Sequence, residues 1–300
     1  MAELRVGYIG LGKMGKPMAK NILKAGFPTT IYNRSKGNVL ELVALGASAA
    51  QTPREVSVKS DVVFTNLPDT PDVLEVVFGE NGVAEGAHPG MVFVDNSTIA
   101  PAASREIYEK LLTRGVKSLD APVSGGDVGA QQGTLSIMVG GDADALEAVM
   151  PILSVLGRKI THVGDAGAGQ IAKAANQIMV AAQMLAMSEL MIFSQKAGAD
   201  PGKVIEAIKD GAAQCWTLDV KPQRLLQGNR QPGFRSQLQA KDMAIVMETA
   251  RQHQISLPGA ALSSQLYNSL CAIGWGDLDN SAIIKVIELL NGENLRTVEA

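Results

Sequence analysis

The chain has only two cysteines, Cys215 and Cys271. Two thiols cannot build a disulfide framework, and both read as free thiols of a reducing compartment, which points to the cytoplasm. Histidine is equally scarce: His88, His162 and His253 stand far apart with no metal-ligand spacing, so no metal is expected. Aromatic residues make up only 4% of the chain. Charge of neither sign dominates, since 27 Lys plus Arg against 30 Asp plus Glu give a formal net charge of -3. Nucleic-acid binders usually carry a basic excess, so that class is disfavoured. A site for a small anion needs only a few local donors and is left open by this balance. Met1 to Arg5 shows no basic-then-apolar signal pattern. The most apolar long run, Ala174 to Phe193, contains Asn176, Gln177, Gln183 and Glu189, and reads as a buried helix rather than a membrane span.

What is present is apolar mass and glycine: 46% hydrophobic residues and 31 glycines in 300 residues. That suffices for a sizeable core, and the length predicts two domains. In the first half, short β-branched runs alternate with helical patterns. Strands are expected at Arg5 to Ile9, Thr29 to Asn33, Val62 to Asn66, Val92 to Asp95, Val116 to Leu119, Ser136 to Val139 and Thr161 to Val163. Helices are expected between them at Met14 to Ala25, Lys36 to Ala44, Pro71 to Val77, Ala102 to Thr113 and Ala143 to Leu156. This alternation predicts a mostly parallel, doubly wound sheet with helices on both faces. After Gly164 the strand pattern stops. Gln170 to Ala197 reads as one long helix, followed by helices at Pro201 to Asp210, Leu218 to Gln227, Ser236 to Gln252, Gly259 to Ala272 and Ser281 to Leu290. The expected fold is an α/β domain over residues 1–163 and an all-α domain over 164–300, joined by the long helix.

Gly10-Leu11-Gly12-Lys13-Met14-Gly15 directly follows the first strand and opens a helix. The first glycine permits the tight turn, the second lets backbone approach a pyrophosphate, and the third lets helix and strand pack closely. The helix N-terminus then offers N–H groups and partial positive charge to phosphates. A glycine-rich turn without a ligand would share the pattern but not its strand–turn–helix–strand setting. Twenty residues on, an NAD binder usually places an acid for the ribose hydroxyls. Here the second strand ends in Asn33-Arg34-Ser35. No carboxylate repels a 2′-phosphate, Arg34 can pair with one, and Asn33 and Ser35 add neutral donors, so NADP(H) is predicted. A solvated surface arginine is the alternative for Arg34.

Lys173 stands on an alanine-rich helix, with Asn176 and Gln177 at i+3 and i+4 on the same face. Carbonyl reduction by hydride needs a proton for the developing alkoxide. A lysine on a partly dry helix face can supply it, because desolvation lowers an ammonium pKa. Taken alone, Lys173 fits a lysine that snorkels to solvent better. Asp120-Ala121-Pro122-Val123-Ser124-Gly125-Gly126 follows the fifth expected strand, and its exposed N–H groups and Ser124 hydroxyl suit a carboxylate. An ordinary βα loop is the alternative.

These clusters, in this order and spacing, resemble the β-hydroxyacid dehydrogenase family over essentially the whole chain. The family's cofactor motif matches Gly10, Gly12 and Gly15, and its substrate motif matches Asp120 to Gly126. Its catalytic motif matches Gly164, Gly167, Gly169, Lys173 and Asn176, departing at Gln177, where many members have a second Asn. The Asn-Gln ending, Gly7 to Gly26 and Gly79 to Gly86 look closest to the tartronate semialdehyde reductase branch. Gln214-Cys215-Trp216 instead has some likeness to 3-hydroxyisobutyrate dehydrogenases. Pro232-Gly233-Phe234 and Lys241-Asp242-Met243 look like the family's C-terminal signature.

The resemblance implies a Rossmann N-terminal domain and subunits that pair as homodimers or homotetramers. It implies catalysis by Lys173 and Asn176, with Ser124, Gly125, Gly126, Gln177 and Phe234 at the substrate. Phe234 would also border the nicotinamide. It further implies that Leu67, Pro68, Asp72, Thr98 and Lys241 touch the dinucleotide. The expected reaction is NADPH-dependent reduction of a small semialdehyde acid, of the tartronate semialdehyde to glycerate type. Alternatives are a 3-hydroxyisobutyrate dehydrogenase and a succinic semialdehyde or glyoxylate reductase. An imine reductase usually lacks a lysine at the Lys173 position. A non-catalytic dinucleotide-binding scaffold would have no need of Lys173, Ser124 and Gly125 together.

Overall fold

The structure is a computed structural model that describes residues 4–297. Residues 1–3, part of the segment read above for a signal pattern, and residues 298–300, the end of the second expected domain, lie outside the described residues. The chain forms two compact units, Met1–Lys173 and Ala174–Ala300.

Among its described residues, the first unit is built on nine strands: β1 (Val6–Ile9), β2 (Thr29–Tyr32), β3 (Ser48–Ala49), β4 (Val62–Thr65), β5 (Val92–Asp95), β6 (Lys117–Asp120), β7 (Val123–Ser124), β8 (Leu135–Gly140) and β9 (Gly157–Gly164). Their order is β3-β2-β1-β4-β5-β6-β8-β7, with β9 also paired to β8. The first six strands are parallel, giving the doubly wound Rossmann order with its topological switch between β1 and β4. β8 runs antiparallel to β6 and β7 and parallel to β9.

Side chains alternate across this sheet with the strand period of two. Val6, Tyr8, Phe64 and Val94 enter one core, while Ile9, Val63 and Phe93 enter the other. Both faces are therefore buried, which is why the strands read as continuous apolar runs.

Several short elements depart from the expected pattern. β7 and the helix Gly126–Gln132 occupy what reads in sequence as a loop, because Ser124 pairs with Ser136 across an antiparallel step. β9 is longer than the expected Thr161 to Val163.

The helix Ala168–Lys196, 29 residues long, begins in the first unit and continues into the second. By length and composition it could cross a membrane, yet half of its most apolar window is buried inside the protein. Its Ala181, Met184 and Met191 belong to the core of the second unit, with Met243, Tyr267 and Ile284. That unit contains helices and no strand among its described residues. The single helix expected at Leu218 to Gln227 is two, Trp216–Val220 and Pro222–Leu226. Pro222 has no N–H to continue the first helix and sits instead in the opening turn of the second. The expected helix at Ser281 begins as a tighter turn, Asn280–Ile283, capped by the Asp279 side chain, before Ile284–Asn291.

Candidate active site

β1 ends at Ile9, and the chain turns at Gly10 with φ +93°, a left-handed conformation that favours glycine. A Cβ at Gly10 would lie 2.3 Å from the Asn66 carbonyl, and one at Gly15 would lie 1.9 Å from the Gly10 carbonyl. These two glycines are demanded by packing. Gly12 differs: nothing lies within 4 Å of where its Cβ would point. The helix Gly15–Lys24 that follows has no side-chain N-cap and no acid in its first turn. An open approach at Gly12 and an uncapped helix N-terminus fit a dinucleotide pyrophosphate.

The loop is held from the end of β2. Asn33 Oδ1 accepts the Leu11 N–H at 2.8 Å, and Asn33 Nδ2 donates to the Ser35 carbonyl and hydroxyl, each at 2.8 Å. The Asn33 amide is thus engaged in shaping the glycine turn. Arg34 is exposed, and no carboxylate stands beside it in the Asn33-Arg34-Ser35 segment. Lys13 is paired with Asp127 at 3.4 Å, and Met14 is the residue before the helix. At the end of β4, the Leu67 N–H donates to Ser97 Oγ at 2.8 Å. Pro68 is exposed, while Asp72 and Thr98 are half-buried.

The segment from β6 to Gly126 grips the start of the long helix at two points. Asp120 Oδ1 accepts the Gly167 N–H at 2.7 Å and Oδ2 accepts the Gln170 N–H at 2.8 Å. Lys173 Nζ donates to the Val123 carbonyl at 2.9 Å. Lys173 is 8% exposed, so its ammonium does not snorkel into solvent. The approach requires glycine: a Cβ at Gly169 would lie 2.4 Å from the Asp120 carbonyl. Ser124 is half-buried next to the carbonyl that binds Lys173, and Gly125 (φ +132°) and Gly126 (φ +65°) are exposed after it. In sequence, Asp120 belongs to the motif without an evident task. A carboxylate closing a strand ahead of a glycine pair was the available signal.

Burial pushes the Asp120 carboxyl up to about 6, with Asp95 adding to the rise, against the pull of the Gly167 and Gln170 N–H groups. Folding therefore favours its protonated form. The stability owed to Asp120 is complete below its ordinary value of 3.8 and is lost as pH rises through about 6. Asp120→Asn, which cannot titrate, is expected to flatten the pH dependence of the urea midpoint across that window. An unchanged slope would assign the titration to another group.

In the second unit, Asn176 Nδ2 donates to Gln177 Oε1 at 2.8 Å, and Gln177 Nε2 donates to Asp242 Oδ2 at 2.5 Å. Lys241 pairs with Asp242 at 2.8 Å. Gln177 is therefore anchored to a buried carboxylate that the sequence reading left without a role. Phe234 is half-buried on a loop held by Asp279, whose Oδ2 accepts the Gly233 and Phe234 N–H groups at 2.8 and 3.3 Å.

The chain as a whole is similar to known proteins. Residues 5–164 match the family described as the NAD binding domain of 6-phosphogluconate dehydrogenase. Residues 167–287 match that described as NAD-binding of NADP-dependent 3-hydroxyisobutyrate dehydrogenase. The 2-hydroxy-3-oxopropionate reductase of Escherichia coli (strain K12) is 42% identical over 293 residues, covering 97% of this chain and 100% of the relative. The 2-(hydroxymethyl)glutarate dehydrogenase of Eubacterium barkeri is 36% identical, covering 97% of each. The solved 3-hydroxyisobutyrate dehydrogenase of Mycobacterium tuberculosis, with L-serine, superposes with a TM-score of 0.87 at 30% identity, covering 95% of this chain and 99% of that one.

The chain belongs to the β-hydroxyacid dehydrogenase, or 3-hydroxyisobutyrate dehydrogenase-like, family. It is an oxidoreductase acting on the CH–OH group of hydroxy acids with a nicotinamide dinucleotide.

Proposed function

We propose that the enzyme reduces a small semialdehyde acid to its hydroxy acid with NADPH, reversibly, with tartronate semialdehyde to glycerate as the type reaction. The observation that carries this reading is the buried Lys173 ammonium, held on the Val123 carbonyl next to Ser124-Gly125-Gly126. The dinucleotide, when bound, supplies the hydride that reaches the aldehyde carbon. Lys173 gives a proton from Nζ to the carbonyl oxygen and takes one back in the oxidation. Ser124 and the N–H groups of Gly125 and Gly126 bind the substrate carboxylate. Asn176, one turn after Lys173, orients the reacting pair, with Gln177 behind it. Phe234 borders the nicotinamide, and Lys241, Leu67, Pro68, Asp72 and Thr98 contact the dinucleotide.

NADP(H) over NAD(H) rests on Arg34 and on the lack of an acid in the Asn33-Arg34-Ser35 segment. The enzyme acts as a homodimer or homotetramer, supported by exposed apolar side chains such as Phe193 and Leu290, and in the cytoplasm, in keeping with its two free thiols. The E. coli relative's printed activity favours tartronate semialdehyde. Gln214-Cys215-Trp216 keeps 3-hydroxyisobutyrate as the second substrate.

The test is a panel of tartronate, methylmalonate and succinic semialdehydes and glyoxylate, each with NADPH and NADH. Tartronate semialdehyde with NADPH is expected to give the highest kcat/KM, by about 10-fold or more: one methylene of chain length is worth about 10–200-fold in a pocket, and methylmalonate semialdehyde carries a methyl in place of the hydroxyl that a fitting pocket would hydrogen-bond. Turnover of none of the four overturns the reaction, and a preference for NADH overturns the role given to Arg34.

A further inference from the structure

Gln170 is an amide at a position of the long helix that is 1% exposed, where an apolar side chain would be expected. Both ends of the amide are satisfied. Nε2 donates to the Ser97 carbonyl at 2.8 Å, and Oε1 accepts the Ile99 N–H at 3.2 Å. The residue between these two peptide groups is Thr98, so one side chain brackets it from both sides. Ser97 is tied further out, because its Oγ accepts the Leu67 N–H at 2.8 Å. Its own N–H donates to Asp95 Oδ1 at 3.0 Å, and Asp95 Oδ1 also accepts the Thr65 hydroxyl at 2.7 Å. On the helix side, the Gln170 N–H donates to Asp120 Oδ2. Lys173 lies at i+3, on the same helix face.

We propose that Gln170 is a positioning residue for Lys173, coupling the loops at the ends of β4 and β5 to the first turns of the long helix. Leu67 and Thr98 sit on those loops. The proposal rests on the reading above in which Lys173 moves the proton and Leu67 and Thr98 meet the dinucleotide. Dinucleotide seated against these loops stiffens them, and the Gln170 amide carries that restraint to the turn that aims Lys173. A hydrophobic side chain of the same size would fill the space without the tie. The two bonds run to backbone groups, so they fix the loop whatever side chain stands at Thr98.

Gln170→Met keeps the volume and removes both bonds. Expected for the folded variant are a kcat about 10- to 100-fold lower, since sub-ångström misplacement of a reacting group is costly. The semialdehyde KM should stay within about 2-fold and NADPH affinity within a few-fold of wild type. The deuterium isotope effect on kcat, with NADPH labelled at the transferred hydrogen, should rise as the chemical step becomes limiting. A purely structural role would lower the melting temperature and leave kcat and isotope effect unchanged, which overturns the proposal. Gln170→Leu, which removes both bonds with a shorter apolar side chain, is the second variant should Gln170→Met fail to fold, judged by the same criteria.

If the wild type turns over no acid in the panel, the reaction reading fails, and amide exchange with NADPH alone decides this proposal. NADPH should slow exchange over residues 168–176 in the wild type but not in a Gln170 variant that still binds it. Equal slowing in both overturns the coupling.

Discussion

Lys173→Ala is expected to lower kcat with the preferred semialdehyde acid by about 10²–10⁴-fold, the range that positioned proton transfer contributes. NADPH affinity, read by quenching or fluorescence titration, should stay near the wild-type value, because the glycine turn and the uncapped helix at Gly15 are untouched. The substitution also removes the donor to the Val123 carbonyl. Leaving that buried acceptor without a partner costs about 1–3 kcal/mol of stability. A melting curve therefore accompanies each rate, and Lys173→Met, which removes the same donor but preserves the packing, shows how much of any stability loss comes from lost packing. Lys173→Arg is the sharper comparison. It keeps a cation at the site, but a guanidinium does not give up its proton at neutral pH. If Lys173 acts by proton transfer, arginine should rescue little; if it acts only as a positive charge, arginine should restore much of the rate. Near-normal turnover in Lys173→Ala would assign the proton to another group.

Much of the first unit is legible in the sequence because its signals are local. β1, the glycine turn and the helix at Gly15 lie within about twenty residues, and each strand long enough to show an apolar run reads as a strand. The elements that escape are too short to display a period: β3, the helices Pro53–Val58 and Val83–Gly86, β7 and the seven-residue helix at Gly126. The site divides the same way. Gly10 and Gly15 announce themselves by spacing, and Lys173 only through the resemblance of its motif to a family. The groups that hold them do not, because their partners are remote in sequence. Asp120 meets Gln170 across fifty positions, and Gln177 meets Asp242 across sixty-five. Asn33 shows the limit from the other side. Its position points to a ligand-facing donor, and its amide also shapes the glycine turn. A polar residue at a strand end has the same sequence signature in either task, and only the distances separate them.

Remoteness also hides a buried ion pair of the second unit, which sets the largest stability effect expected here. Lys221 Nζ lies 2.6 Å from Asp279 Oδ1 and 3.0 Å from Asn280 Oδ1, with the Lys221 and Asp279 side chains 5% and 1% exposed. The same carboxylate accepts the Ser281 N–H and hydroxyl as well as the Gly233 and Phe234 N–H groups. Burial alone would push the Asp279 carboxyl up; the Lys221 ammonium and the Ser281 hydrogen bonds outweigh it and hold the carboxyl below its ordinary value. Lys221→Met removes the counter-charge and leaves an ion buried, a change worth about 3–5 kcal/mol. The urea midpoint at pH 7 should fall accordingly. The depressed carboxylate contributes stability above its ordinary value that is lost as pH falls through the folded one. In the variant only the hydrogen bonds to the carboxylate oppose burial, and the carboxyl protonates at higher pH. The deficit against wild type should therefore shrink as pH is lowered from 7 toward 4. Adding Asp279→Asn to Lys221→Met removes the unpaired ion and should recover part of the loss at pH 7. A double variant no more stable than Lys221→Met, with a deficit that does not change with pH, would mean that the pair acts through packing and not through its charges.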